Sequence, residues 1–119
     1  MKFTLNKEIE ESILHINYFA DKISIWRAQN GFQTPANLLS VESRDLMLGK
    51  LMLVVTEIAE AAEAVRHENL DNFKEELADT FIRLMDITAS CEIDIEYEIK
   101  KKMETNLNRP YRHGKTCSL

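Results

Sequence analysis

"LMLVVTEIAEAAEAV", residues 51–65, places carboxylates directly after an unbroken apolar run. Leu51 to Val55 offers no polar side; Glu57, Glu60 and Glu63 then follow at three-residue intervals among Ile, Ala and Val. At ~100° per residue, Leu48, Leu51, Val55, Ile58 and Ala62 form one helical stripe. Leu53 and Ala64 fall on the opposite side, together with Glu57 and Glu60. A helix that is apolar on nearly every side is covered on nearly every side. The stretch therefore predicts a central helix over about 43–67, whose acids are not simply solvated.

The flanking sequence supplies its neighbours. Ser40 or Ser43 can cap the central helix. Upstream, Ile9, Ile13, Ile16, Ala20 and Ile23 recur at helical spacing, with Phe19 and Trp26 beside them, predicting one helix over about 5–29 that Asn30-Gly31 stops. Downstream, "RHENLDNF" reads as a short turn with Asp71 or Asn72 as N-cap, followed by a helix over about 72–91. Phe73, Leu77, Phe81, Leu84 and Thr88 make its expected core stripe; Glu75, Glu76, Asp79, Arg83 and Asp86 lie on its other side. Asp94 can cap a last helix over about 94–106, ended before Pro110 and followed by a basic tail over 107–119. Four helices with short connections in 119 residues predict a single all-α domain, a four-helix bundle.

Composition agrees. The chain is 45% hydrophobic and 29% charged, with only three Gly and two Pro, which suits helices rather than many short strands. No apolar run approaches the ~20 residues of a membrane span, and the N-terminus lacks the apolar core of a signal peptide. Cys91 and Cys117 have no metal-site spacing and read as two free thiols, so a cytoplasmic location is expected. Net charge is -5, yet residues 100–115 carry Lys100, Lys101, Lys102, Arg109, Arg112 and Lys115 against Glu104 alone. A surface this acidic elsewhere excludes general nucleic-acid binding.

The short turn makes the two middle helices an antiparallel hairpin. Glu57 and Glu60 share a face, as do Glu76 and Asp79, and the hairpin brings both pairs to similar heights. Ala59, Ala61, Ala62 and Ala64 permit close backbone approach. Read singly, an E-x-x-E is a solvated face, and Asp79 could pair with Arg83 one turn on. Read together, four converging carboxylates repel one another unless a cation neutralises them. Oxygen-only ligands select a hard divalent ion, Mg²⁺ or Mn²⁺.

The motif E57-I-A-E60, fifteen residues, then E76-L-A-D79 resembles the E-x-x-E … E-x-x-D signature of the all-α nucleoside triphosphate pyrophosphohydrolases, the MazG-like family. The resemblance runs over about 48–115 and includes K102-M-E-T-N106-x-x-R109 and the closing R-P-Y-R-H-G-K. It implies conversion of a nucleoside triphosphate to monophosphate and pyrophosphate with Mg²⁺. By carry-over, Glu57, Glu60, Glu76 and Asp79 are metal ligands, with Glu57 or Glu60 as general base. Lys102, Asn106 and Arg109 resemble residues that contact phosphate or sugar, and Arg112 and Lys115 extend that cationic set. Family members are dimers or dimers of dimers, so a homodimer or tetramer is expected here. The tail RPYRHGK departs from the R-R-Y-P ending of the branch that prefers deoxycytidine triphosphate, and that preference is not carried over. Phe19, Trp26 and Phe32 could stack on a base; at helical spacing they read first as core. Two other classes compete. A non-catalytic helical interaction or regulatory protein needs no converging acids. A di-iron bundle needs Glu-x-x-His pairs, whereas Glu63 and His67 are four apart.

Overall fold

A computed structural model describes residues 2–109. Among them are five α-helices and no strand: α1 (Lys2–Glu11), α2 (Ile16–Gln29), α3 (Val41–Arg66), α4 (Leu70–Ser90) and α5 (Ile95–Asn108). They fall into two compact units. One spans residues 15–94 and contains α2, α3 and α4; the other joins the residues before 15 to those from 95 onward and contains α1 and α5. No described helix is long and apolar enough to cross a membrane.

The predicted single helix over 5–29 is two helices, with residues 12–15 outside both. The Ser12 hydroxyl donates to the Glu8 carbonyl at 2.6 Å, a local side-chain bond of the kind that competes with the helical ladder. His15 then serves as the N-cap position of α2. No Gly or Pro marks this break, and apolar residues continue through it, so periodicity alone reads straight across. In the unit that holds α1, the Lys100 ammonium on α5 donates to the Glu10 and Ser12 carbonyls. A cation there satisfies carbonyls that a helix end leaves without partners. Asn6 donates to Asn108 at 3.3 Å, so α1 and α5 run antiparallel.

In the larger unit, α3 begins where Ser40 accepts the Ser43 backbone N–H at 3.0 Å; of the two expected caps, Ser40 is the one used. At its far end Glu68 adopts φ 55 and Asn69 N–H returns to the Ala64 carbonyl at 2.9 Å. That is the left-handed helix stop usually made by glycine. The Asn69 side chain then accepts from Asn72 N–H at 3.1 Å and caps α4, in place of the expected Asp71 or Asn72. One residue thus closes one helix and opens the next. The connection is only three residues, 67–69, and forces α3 and α4 into the expected antiparallel hairpin. α2 ends as read: Gly31 takes φ 86 and Phe32 N–H bonds to the Arg27 carbonyl at 3.0 Å.

The expected core stripes face the wrong way. On α3 the buried residues are Met47, Val54, Glu57, Ala61 and Ala64, one position out of step with Leu48, Leu51, Val55, Ile58 and Ala62. Leu48 is 60% exposed and Val55 51%. On α4 the buried residues are Thr80 and Asp86, with Glu76 and Arg83 half-buried, while Phe81 is 62% exposed. Phe19, Trp26 and Phe32 are likewise exposed rather than core. A one-residue offset is ~100° around a helix. On a helix apolar nearly all round, periodicity does not say which side faces its neighbour. The small side chains Ala61 and Ala64 decide it, because they let the backbones approach.

α2 joins α4 through a buried ion pair. Arg27 and Asp86 are 7% and 4% exposed, and Arg27 Nε donates to Asp86 Oδ2 at 3.0 Å. Thr34 Oγ1 donates to the same oxygen at 2.6 Å, and Ser90 lies 3.4 Å from Oδ1. The Arg27 guanidinium also stacks 4.2 Å from the centre of the Phe32 ring.

Candidate metal centre

The close approach of α3 and α4 sets three carboxylates together. One oxygen each from Glu57, Glu76 and Asp79 lies within 4.8 Å of the others. Glu57 projects from the buried face of α3 and is 9% exposed. Glu76 is half-buried and Asp79 exposed on α4, one turn apart. The fourth expected acid, Glu60, stands outside this group of three, exposed on the next turn of α3. It remains a neighbour: Glu60 and Glu76 line one open pocket with Glu63, His67, Asn69 and Asn72.

The electrostatics follow from the crowding. Hydrogen bonding with the Glu57 carboxyl, then with Glu60, together with burial and their charges, pushes the Glu76 carboxyl up to about 7. Its Oε2 is buried and has no hydrogen-bond partner. A buried acceptor left unsatisfied is costly, and a bound cation would satisfy it. The donor set is oxygen only, which suits Mg²⁺ or Mn²⁺ rather than a soft metal. These residues therefore fit a hard divalent ion.

Arg83 is a neighbour of the acids to which the sequence reading assigned no part in the site. It does not bond to Asp79 on its own helix; its Nε donates across the hairpin to Glu57 Oε1 at 3.2 Å. The D79-x-x-x-R83 spacing, which puts Arg83 on the same face as Asp79, is the signal that could have found it. Lys50, two turns before Glu57 on α3, lies within electrostatic reach of Arg27, Asp86 and Arg83. Burial pushes its ammonium below the usual lysine range; the Arg27 and Arg83 charges add to this, and Asp86 opposes it. Glu63 belongs to the surface instead, bonded to Arg66 at 2.6 Å and to His67 at 3.1 Å, and the Arg66 contact holds its carboxyl below the usual range.

Of the expected phosphate-contacting residues, Lys102 and Asn106 are exposed on α5, and Arg109 is half-buried just beyond it. They share one helical face by spacing and belong to the unit that contains α1. Arg112 and Lys115 lie outside the described residues.

Glu57 on α3 faces Glu76 and Asp79 on α4 across a helical hairpin, with Arg83 bonded to Glu57, in a protein whose described elements are all helical. The sequence model of the MazG nucleotide pyrophosphohydrolase domain matches residues 49–114, more than half of the chain, and the protein belongs to that family. Comparison with curated proteins and with solved structures returned no match.

Proposed function

We propose that the protein is a Mg²⁺-dependent nucleoside triphosphate pyrophosphohydrolase, cleaving between the α and β phosphates to release monophosphate and pyrophosphate. The observation that carries this reading is the grouping of Glu57, Glu76 and Asp79 across the α3–α4 hairpin, inside the segment matched by the MazG family. Glu57, Glu60, Glu76 and Asp79 would hold the metal. When bound, the ion supplies charge neutralisation and polarisation of the phosphoryl group. The chain's own residues do the rest. Glu57 is held by Arg83, whereas Glu60 is exposed and outside the close group of three. Glu60 is therefore the better placed of the two candidate bases to take the proton of an attacking water. Lys102, Asn106 and Arg109 are assigned to phosphate and sugar, where cations and an amide match the acceptor oxygens.

The test is a panel of ribo- and deoxynucleoside triphosphates incubated with Mg²⁺, with products separated by chromatography. Monophosphate and pyrophosphate are expected, with loss of turnover in excess EDTA. Diphosphate and orthophosphate as main products would refute the reading.

The same proposal includes a homodimer, or a pair of dimers. Leu48, Leu51, Val55 and Ile58 on α3 and Phe81 on α4 are exposed, and no large side chain is fully buried among the described residues. Apolar surface of this extent marks an interface, and a closed two-fold pair is the commonest way to cover it. Sedimentation at micromolar concentration is expected to show a dimer or larger; a fully active monomer would overturn this part.

A further inference from the structure

Arg83 has acids near it in sequence on both sides, Asp79 four residues before and Asp86 three residues after. Its hydrogen bond goes to neither. Asp86 Oδ2 is already taken by Arg27 Nε at 3.0 Å and by the Thr34 hydroxyl at 2.6 Å. With Asp86 engaged on the α2 side, Arg83 Nε reaches across the hairpin to Glu57 Oε1 at 3.2 Å, a residue 26 positions away. Both partners are sheltered, with side-chain exposures of 27% and 11%. A partly buried ion pair of this kind is screened less than a surface pair. Glu57 is also the one acid of the cluster that α3 contributes to the group of three. A guanidinium is always charged, and its donors lie in a rigid plane. Such a partner restricts both the rotamer and the ring of directions open to the carboxylate it holds.

We infer that Arg83 is a positioning residue, which orients the Glu57 carboxylate toward Glu76 and Asp79 so that the three present one divalent-cation site. This rests on the metal-dependent reading above and adds a residue to it. Groups that orient a metal ligand from behind cost about 10–100-fold in metal affinity when removed. Arg83 carries an opposing demand as well, because its own positive charge repels the ion. The inference is that orientation outweighs repulsion at this site.

The experiment titrates Mn²⁺ into the full chain, reading bound metal by calorimetry and by the loss of the free-ion paramagnetic resonance signal. Arg83→Met keeps the approximate length and removes the charge and the donors. It is expected to weaken Mn²⁺ binding by about 10-fold or more, with Arg83→Lys falling between it and the unaltered chain. Thr34→Val loosens the neighbouring Asp86 network without touching the acids and serves as the control for general loss of stability. It is expected to lower Tm while leaving Mn²⁺ affinity within twofold. Unchanged or tighter binding in Arg83→Met would overturn the inference, the tighter case by showing that repulsion is the larger effect. Equal weakening in Thr34→Val would overturn it too. Should Arg83→Met lose its helicity by circular dichroism, Arg83→Lys carries the test: weakened Mn²⁺ binding at unaltered Tm supports positioning, and unaltered binding refutes it. Failure of the unaltered chain to bind Mn²⁺ at all would instead remove the pyrophosphohydrolase reading, and this inference with it.

Discussion

Glu57→Gln, Glu60→Gln, Glu76→Gln and Asp79→Asn are each expected to lose at least about 100-fold in turnover, the upper end of what removing a mere supporting partner costs, while the metal-free protein stays folded. The amides keep the shape of the side chain and take away the charge that binds a cation. Without metal, that same charge is a liability, since like charges at close range oppose one another. Glu76→Gln shows this most directly. The Glu76 carboxyl, raised from its ordinary 4.5 to about 7 by its bonds with Glu57 and Glu60, binds a proton in the folded state that the unfolded chain has released. The folded protein therefore holds more protons than the unfolded one between these two values. Its contribution to stability is present below pH 4.5 and is lost as pH rises through about 7. Metal-free protein should melt at a lower temperature at pH 8 than at pH 5.5, and Glu76→Gln should shrink that difference. Mg²⁺ binding needs the ionised Glu76 carboxylate, so its affinity should rise over the same interval. Glu57→Gln is the case where two effects meet: repulsion is relieved, but Arg83 keeps only a neutral amide oxygen as its partner. A metal-free Tm close to that of the unaltered chain is expected. Collapse of helicity in all four variants without metal would show that the acids are structural partners instead. Glu63→Gln, whose carboxylate is occupied by Arg66 and His67 at the surface, is the control and should leave turnover largely intact.

Asp86→Ala is expected to be the most destabilising single change away from the acid cluster. Removing one member of a buried ion pair costs about 3–5 kcal/mol, because the other charge is left in a place where water cannot reach it. Here the stranded group is Arg27, 7% exposed, and the Thr34 hydroxyl loses its acceptor as well. The Lys50 ammonium, already pushed down by burial and by the Arg27 charge, would lose the one nearby anion that offsets them. Urea unfolding should show the midpoint falling with little change in slope. The double replacement Arg27→Met with Asp86→Leu should recover much of the loss, since swapping a whole buried pair for apolar groups is often close to neutral. A loss under about 1 kcal/mol for Asp86→Ala would show that the site rehydrates and that the pair does not hold α2 to α4.

The helical class, the α3–α4 hairpin and the placing of Glu57 opposite Glu76 and Asp79 were legible in the residues alone, because these rest on local rules. Residues three apart share a face of any helix, and a connection as short as the predicted turn over 67–72 returns the chain antiparallel. Helix ends were legible where a residue type has a dedicated conformation, as at Asn30-Gly31 and Ser40. They were not legible where an ordinary residue took the special role, as Glu68 does at φ 55, or where a break carries no glycine or proline, as at residues 12–15. Which side of α3 meets α4 emerged from packing. A helix apolar around most of its circumference satisfies several orientations equally well in periodicity. The choice went to the face with Ala61 and Ala64, which admits the closest approach and takes Glu57 inward with it. That orientation of α3 leaves Leu48 and Val55 outward and sets Glu57 against α4, where Arg83 finds its partner on the other helix rather than on its own. Partner choice of this kind depends on distances between residues 26 positions apart, and no local pattern encodes them.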